Sequence, residues 1–228
     1  MTTSAPRVFY DPNTPVTAHD GFASALYGES LAFADSVLNV ASGHTDLAAD
    51  LQARGADVQV TSLDPIYGRS EFDSRPDMVA GYAQKMPFED GKFDVTLCQF
   101  GLQHLPPEEQ AKAIREMVRV TREADPKGIK VGGVVLINPV FRPKAMLEAL
   151  EQAGIEGVAG LMTHDPKSVA LSQRRLVKPT LWVEKNPTLT SEKLDVLVQA
   201  ITGSKALKPT FRSLGERACR ANGGYSYV

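Results

Sequence analysis

The sequence predicts an α/β fold: a Rossmann-like, doubly wound, mostly parallel sheet flanked by helices. The first observation is residues 36–64, where a short apolar strand, a turn of small residues, a helix and a second strand follow one another. The second is a pair of later apolar runs, at 93–100 and 134–137. Strands buried on both faces of a parallel sheet have such continuous apolar runs. A helical pattern separates the two runs, as a parallel connection requires.

The unit at 36–64 has the geometry that places a nucleoside over the carboxyl ends of parallel strands. The small residues Ala41, Ser42 and Gly43 allow the backbone to approach a ligand closely. Asp64 follows about twenty residues later, where its carboxylate can accept hydrogen bonds from ribose hydroxyls. A pyrophosphate fingerprint needs two more glycines than this turn has. A nucleoside without a pyrophosphate fits better, and S-adenosylmethionine is one. On this stretch alone, a βαβ unit without a ligand remains the alternative.

Residues 1–35 precede the first strand and contain a helical pattern from His19 to Phe33. In an open sheet such a segment often crosses the ligand crevice, so it is predicted to be an N-terminal lid. Tyr10 and Tyr27 would then hydrogen-bond the ligand. The competing interpretation is that both tyrosines anchor the segment on the core.

The residues after the second and third strands are expected to surround the base of the nucleoside. Pro65 and Ile66 directly follow the acid, and Ile66 has the apolar bulk for contact with the base. A third strand is predicted at 78–81. Ala83 and Gln84 come shortly after it, where a loop would reach the adenine amino group.

Two candidate catalytic residues lie near the ends of the fourth and fifth strands. Gln99 and Phe100 end the fourth strand and are expected to line the sulfonium region. His104 follows in the same loop, and an unperturbed histidine pKa of about 6.5 suits a general base. The alternative is that His104 only braces the loop. Asn138 ends the fifth strand at the same edge and is the second candidate.

Four stretches together resemble the class I S-adenosylmethionine-dependent methyltransferases of the small-molecule type. They are VLNVASGHTD, the acid in SLDPIYG, AQKMPFEDGKFDVTLCQFGLQHL, and REMVRVTREADPKGIKVGGVVLINP. The resemblance covers roughly residues 36–140 and implies the class I methyltransferase fold. It also implies S-adenosylmethionine as co-substrate. The predicted cofactor-binding residues are Tyr10, Tyr27, Asn39, Ala41, Ser42, Gly43, Asp64, Pro65, Ile66, Ala83, Gln84, Gln99 and Phe100.

The chain departs from the family pattern at the methionine end of the cofactor. The family usually has an acid where this chain has Asn39, and glycines where it has Ala41 and Thr45. In the family that acid helps to hold the methionine ammonium, so the resemblance implies that this end is held differently here. Three explanations stay open: a drifted but active enzyme, altered handling of the methionine tail, or loss of catalysis.

Three functions follow from these alternatives. The first is methyl transfer to a small molecule. The second is a lyase or cyclase that consumes S-adenosylmethionine and releases methylthioadenosine, in one form closing the methionine tail to azetidine-2-carboxylate. The third is a cofactor-binding protein without turnover.

Composition and charge limit the classes of partner that are expected. The 228 residues carry a net charge of −2 with no basic block, so no nucleic-acid partner is expected. No apolar run approaches membrane-spanning length, and a cytoplasmic protein is expected. Cys98 and Cys219 are isolated, and the scattered carboxylates predict no metal site. The oligomeric state stays open.

The remaining elements complete a single domain over residues 1–228, with 189–228 as a helical C-terminal addition. A proline and two acids predict a helix from Pro107. The later predictions are a helix within 141–154, strands at 176–177 and 181–183, a helix at 191–201 capped by Ser191, and a short helix at 211–220.

Overall fold

The computed structural model describes residues 22–53, 55–68, 75–125, 132–155, 157–168 and 177–204, with single positions at 174, 206 and 207. The strands are β1 (Ser36–Val40), β2 (Gln59–Leu63), β3 (Met78–Val79), β4 (Val95–Gln99), β5 (Val134–Asn138), β6 (Ala159–Met162) and β7 (Thr180–Glu184). The helices are α1 (Phe22–Leu31), α2 (Leu47–Ala53), α3 (Pro107–Val120), α4 (Pro143–Gln152) and α5 (Ser191–Gly203). Short 3-10 turns lie at Pro65–Gly68, Leu102–His104 and Pro166–Ser168.

These strands form one sheet in the order β3-β2-β1-β4-β5-β7-β6. The strands β1 to β5 are parallel to one another, whereas β7 runs antiparallel to both β5 and β6. The chain builds outward from β1 to β3 and then crosses back to place β4 on the other side of β1. The resulting crevice between β1 and β4 is the topological switch point at which such sheets bind ligands. The predicted doubly wound fold is confirmed.

Helices cover both faces of the sheet because successive side chains in a strand point to opposite faces. Val37 and Leu136 pack in one core cluster with residues of α1 and α2. Leu38 and Ile137 pack in the other, with residues of α3, α4 and α5. The central strands are therefore apolar on both sides, as their sequences predict.

Helix α3 follows the sequence pattern closely. Pro107 is its first residue, and Glu108 and Glu109 lie in its first turn, where the helix dipole favours acids. Ile114 and Met117 are fully buried against the sheet. The predicted helix and its buried face are confirmed.

The late strands differ from the prediction. The sheet gains β6 at Ala159–Met162, which the sequence analysis missed, and Val177 precedes β7 without belonging to a strand. Gly160 hides the strand pattern, since glycine disfavours strand interiors. A Cβ at Gly160 would lie 2.9 Å from Trp182, so the ring of that residue requires the glycine. Leu176 lies outside the described residues.

The cap of α5 also differs. Thr190, not Ser191, is the N-cap, and its Oγ1 accepts a hydrogen bond from the backbone N–H of Lys193 at 3.3 Å. Either residue type caps helices well, so the sequence did not distinguish these neighbours. The predicted lid up to residue 21 and the predicted helix at 211–220 lie outside the described residues. No helix in the described part of the chain has the length and apolarity to cross a bilayer.

Candidate functional site

Four polar side chains line the carboxyl edge of the sheet on the face that α1 and α2 cover. Asn39, Gln99 and Asn138 each lie two residues beyond an apolar residue of that face. Gln99 and Asn138 are paired in register, and the antiparallel β7 brings Thr180 beside Asn138. We call these four residues the polar row. The polar row thus lies at the carboxyl edge of the sheet, and the apolar residues of the same face lie farther from that edge.

The turn after β1 has a tightly folded backbone. Ala41 and Gly43 have positive φ values of 54° and 56°. The backbone N–H of Ser42 donates to the carbonyl of Leu63 at 3.3 Å, which ties the turn to the end of β2. The Thr45 hydroxyl donates to the carbonyl of Ser42 at 2.7 Å and closes the turn. Thr45 therefore has a structural task at a position where the family has glycine.

Ala41 is matched by a glycine elsewhere. The left-handed region disfavours a side chain at Ala41. Its Cβ is accommodated because Gly101, after β4, has none: a Cβ there would lie 2.5 Å from that of Ala41 and 2.8 Å from the Cys98 sulfur. The glycine that this contact between the two loops requires is thus Gly101, in the loop after β4.

Asp64 joins the turn to the end of β2. Its carboxylate is almost fully buried, with one oxygen accepting from the Gly43 N–H and the other from the Ile66 N–H, both at 2.9 Å. A carboxylate oxygen has two lone pairs and can accept more than one hydrogen bond. This arrangement fits the predicted ribose contact.

Tyr67 also contacts the turn after β1. Its hydroxyl donates to the carbonyl of Gly43 at 2.8 Å and lies 2.8 Å from the Ser42 hydroxyl. Burial raises the pKa of Tyr67 to about 12, so the phenol stays protonated and keeps donating. The turn is therefore held by side-chain contacts in place of the glycines that it lacks.

An apolar slot of about 90 Å³ opens beside the turn. Pockets that enclose whole ligands are larger, about 300–1,000 Å³, so this slot matches only a part of a nucleoside, such as a flat base. Pro65, Ala83 and Gln84 are among its lining residues, whereas the Ile66 side chain is buried. The full lining comprises Ala41, Leu63, Pro65, Gly81, Tyr82, Ala83, Gln84, Gly101, Leu102 and Leu105.

Two departures from the family pattern meet in space. The Asn39 amide nitrogen lies 3.5 Å from the Thr45 hydroxyl oxygen, and Asn39 is buried. The methionine end of a cofactor placed over the turn would thus meet a neutral amide beside a hydroxyl. Hydrogen bonds would hold that end, without the charge that an acid would add.

A second polar group surrounds the Thr180 hydroxyl, which contacts Tyr27 at 2.5 Å, His164 Nε2 at 2.7 Å and Asn138 Nδ2 at 3.1 Å. We call these four residues the Thr180 cluster. Burial raises the pKa of Tyr27 and lowers that of His164. Both side chains are therefore neutral at neutral pH. Tyr27, predicted to contact the ligand, is buried with its ring edge against His164.

The loop after β4 contacts the end of β5. Phe100 has a positive φ of 57°, and its N–H donates to the carbonyl of Asn138 at 2.7 Å. His104 lies on the surface in the following 3-10 turn, yet packing around its ring lowers its pKa. A neutral His104 can accept a proton at neutral pH, so its candidacy as a base is unaltered.

The structure brings most of the predicted residues to one edge. His164 is the residue that the sequence analysis passed over, because its context depends on the unpredicted strand β6 that ends two residues earlier. Tyr10 lies outside the described residues. Among the described residues, no three His, Cys, Asp or Glu side chains gather as metal ligands would.

The fold is a doubly wound α/β sheet with a crevice at its topological switch point. Residues 38–125 match the sequence model of the family described as "Methyltransferase domain". A demethylmenaquinone methyltransferase of Beutenbergia cavernae is 37% identical over 118 residues, which are 51% of this chain and 45% of that protein. The ubiquinone/menaquinone biosynthesis C-methyltransferase UbiE of Methylobacterium nodulans is 39% identical over 87 residues, 34% of each chain.

The similarity to the methyltransferase domain thus covers the stretch from β1 to α3. The chain spans less than half the length of these two curated relatives. Among solved structures, human N-acetylserotonin methyltransferase in complex with S-adenosylmethionine is 9% identical with a TM-score of 0.47, over 73% of this chain and 53% of that one.

Proposed function

We propose that this protein is an S-adenosylmethionine-dependent methyltransferase that acts on a small molecule. The observation that carries the proposal is Asp64, a buried carboxylate joined to the turn after β1 by the Gly43 N–H. The acid and the turn form one unit beside the apolar slot, as binding of an adenosine requires. The match of residues 38–125 to a methyltransferase domain supports S-adenosylmethionine as the nucleoside.

In the proposed reaction, the acceptor's nucleophilic atom forms a bond to the methyl carbon while the methyl–sulfur bond breaks. The electron pair of that bond goes to sulfur, and S-adenosylhomocysteine leaves. A proton on the acceptor passes to a base, for which His104 is the candidate. The methyl group is already activated, so the protein acts mainly by alignment. Gln99 and Phe100 lie at the edge where the sulfonium would face the acceptor.

The identity of the acceptor is a separate question. The relatives' names concern quinone biosynthesis, and C-methylation in one case. However, the family match ends at residue 125, before β5, β6 and β7. We therefore infer a small-molecule acceptor from the relatives without transferring their substrate to this chain.

The lyase or cyclase alternative gains no support from the comparisons, because the matched family and the relatives quoted above are methyltransferases. Product analysis separates it from methyl transfer. The purified full chain is incubated with S-adenosylmethionine carrying a deuterated methyl group, with and without a set of hydroxylated small molecules. Mass spectrometry follows S-adenosylhomocysteine, methylthioadenosine and deuterium in the acceptors.

The proposal predicts S-adenosylhomocysteine and a labelled acceptor in equal amounts, and only when an acceptor is present. Methylthioadenosine formed above the spontaneous background, without any acceptor, would contradict it and indicate cleavage. An Asp64→Ala variant serves as the control, because it should lose the transfer while the spontaneous background persists.

A further inference from the structure

The Thr180 hydroxyl has its full set of hydrogen-bond partners. A hydroxyl donates once and accepts twice. The Asn138 amide nitrogen must donate to it. Within the described chain Tyr27 has no other hydrogen-bond partner, so its buried O–H also donates to Thr180. Both acceptor positions are then filled, and the hydrogen of Thr180 must go to His164 Nε2.

This assignment fixes the tautomer of His164. Because Nε2 accepts a hydrogen bond, the ring of a neutral His164 carries its hydrogen on Nδ1. That Nδ1–H has no partner among the residues that the structure describes. The side chain is only half-buried, so this donor lies near the surface of the cluster.

The orientation of Asn138 is fixed in the same way. Its Nδ2 lies 3.0 Å from the Lys178 carbonyl, 3.4 Å from the Pro179 carbonyl and 3.1 Å from the Thr180 hydroxyl. Three oxygens around one atom require that atom to be the nitrogen. The amide oxygen, Oδ1, therefore points away from them, and it is buried without a hydrogen-bond partner among the residues that the structure describes. A buried acceptor without a partner carries a desolvation cost that a ligand donor would remove.

We propose that the Thr180 cluster is the subsite that binds a hydroxyl group of the methyl acceptor, with Asn138 Oδ1 accepting from it and the Nδ1–H of His164 donating to it. This inference rests on the proposed methyl transfer. A hydroxyl is the smallest group that supplies both a donor and an acceptor. His164 and Asn138 are thus acceptor-binding residues, while Tyr27 and Thr180 position them.

The chemistry of the cluster favours a neutral hydroxyl over a charged group. Its four side chains are an amide, an alcohol, a protonated phenol and a neutral imidazole, so none offers a charge to a carboxylate or a phosphate. Its place also fits: Asn138 and Gln99 are paired in register, and Gln99 ends the strand beside the cofactor turn. The proposed subsite is therefore one strand away from the expected sulfonium position.

The test compares two probes of the same shape. Phenol and toluene are titrated separately into the full chain loaded with S-adenosylhomocysteine, and binding is followed by NMR of the labelled side chains. Phenol should bind more tightly than toluene, by about tenfold, because only phenol pairs with the cluster. The Thr180→Val variant should reduce that preference to about one, whereas Thr180→Ser, which keeps the hydroxyl, should retain it. Thr202→Val, at a half-buried position of α5 whose hydroxyl donates to the Val198 carbonyl, is the matched control.

Equal binding of phenol and toluene to the wild-type protein would overturn the proposal, as would a preference that survives in both Thr180→Val and His164→Phe. Ring nitrogen shifts that place the hydrogen of His164 on Nε2 would also contradict it. The affinity for S-adenosylhomocysteine is measured in parallel. If that affinity is absent, the two probes are titrated into the free chain: a preference for phenol there would mean that the proposed methyl transfer fails and the hydroxyl site stands.

Discussion

The two parts of the carboxyl edge are built from different materials. In the cofactor edge, comprising the turn at 41–45 and Asp64, two backbone N–H groups donate to one carboxylate, and side-chain hydroxyls add contacts to the turn. In the Thr180 cluster, three side chains contact one hydroxyl, and Asn138 also donates to backbone carbonyls. Backbone groups are present in every sequence, whereas a side-chain cluster changes with each substitution. The two regions therefore differ in how strongly they depend on the identity of individual side chains.

The contrast also appears along the chain. Asp64 takes its two backbone bonds from residues 21 and 2 positions away, whereas Thr180 draws Tyr27 from 153 positions away. The family match covers the first group and ends before Asn138. The following predictions test each edge separately.

The largest expected effect is at Asp64. Asp64→Ala removes the proposed ribose contacts and leaves two backbone N–H groups without their carboxylate. Affinity for S-adenosylmethionine should fall by about a hundredfold or more, since hydrogen bonds to a charged group contribute about 1.5–3 kcal/mol each. Calorimetric titration measures it, with Asp64→Asn as the variant that keeps the shape. Unchanged affinity in the alanine variant would remove Asp64 from the site.

The next largest effect is expected at the contact between Ala41 and Gly101, where the absence of a side chain at Gly101 makes room for the Cβ of Ala41. Gly101→Ala should destabilise the fold by about 1–3 kcal/mol, because its Cβ would overlap the Cβ of Ala41 and the sulfur of Cys98. Adding Ala41→Gly should recover part of that loss, and thermal or urea unfolding of the double-mutant cycle measures it. Gly203→Ala is the control, since a Cβ there meets nothing within 4 Å. Simple additivity of the two substitutions would show that the loops are not coupled.

A smaller effect is expected at the methionine end. Asn39→Asp restores the charge that the family pattern has, so affinity for S-adenosylmethionine should rise on the order of tenfold through a charged hydrogen bond. Methylthioadenosine, which lacks the amino acid, should bind both variants equally. A gain for both ligands would show that Asn39 acts on the turn and not on the ammonium.

The smallest effect concerns pH. Burial lowers the pKa of His164 in the folded state, so the unfolded chain binds more protons as pH falls below about 6.5. The stability that the neutral ring contributes is present above that pH and is lost below it. Urea unfolding at several pH values should therefore give a shallower pH dependence for His164→Phe than for the wild type. Identical slopes would mean that His164 is not desolvated by the fold.

The cofactor edge was largely predictable because its parts are local. The strand, the small-residue turn and Asp64 lie within one short stretch, and their spacing predicts their meeting. The sequence did not show how the turn keeps its conformation with a single glycine. Gly101 leaves room for Ala41, and Tyr67 donates a hydrogen bond to the Gly43 carbonyl, and both are tertiary contacts.

The sequence analysis did not predict the Thr180 cluster as a unit, although it placed Asn138 at the carboxyl edge of the sheet. Its assembly requires β6 and the antiparallel β7, and the glycine in β6 conceals that strand. His164 has no local motif to identify it. Residues at strand ends become visible as a site only when the strand order is known.

A crystal structure of the full chain with S-adenosylhomocysteine bound would test the central claim most directly. The account predicts ribose hydroxyls within hydrogen-bond distance of Asp64, the adenine ring in the slot beside Pro65 and Ala83, and the sulfur facing Gln99 and Asn138. A nucleoside bound away from Asp64, or a sulfur turned away from the polar row, would contradict it.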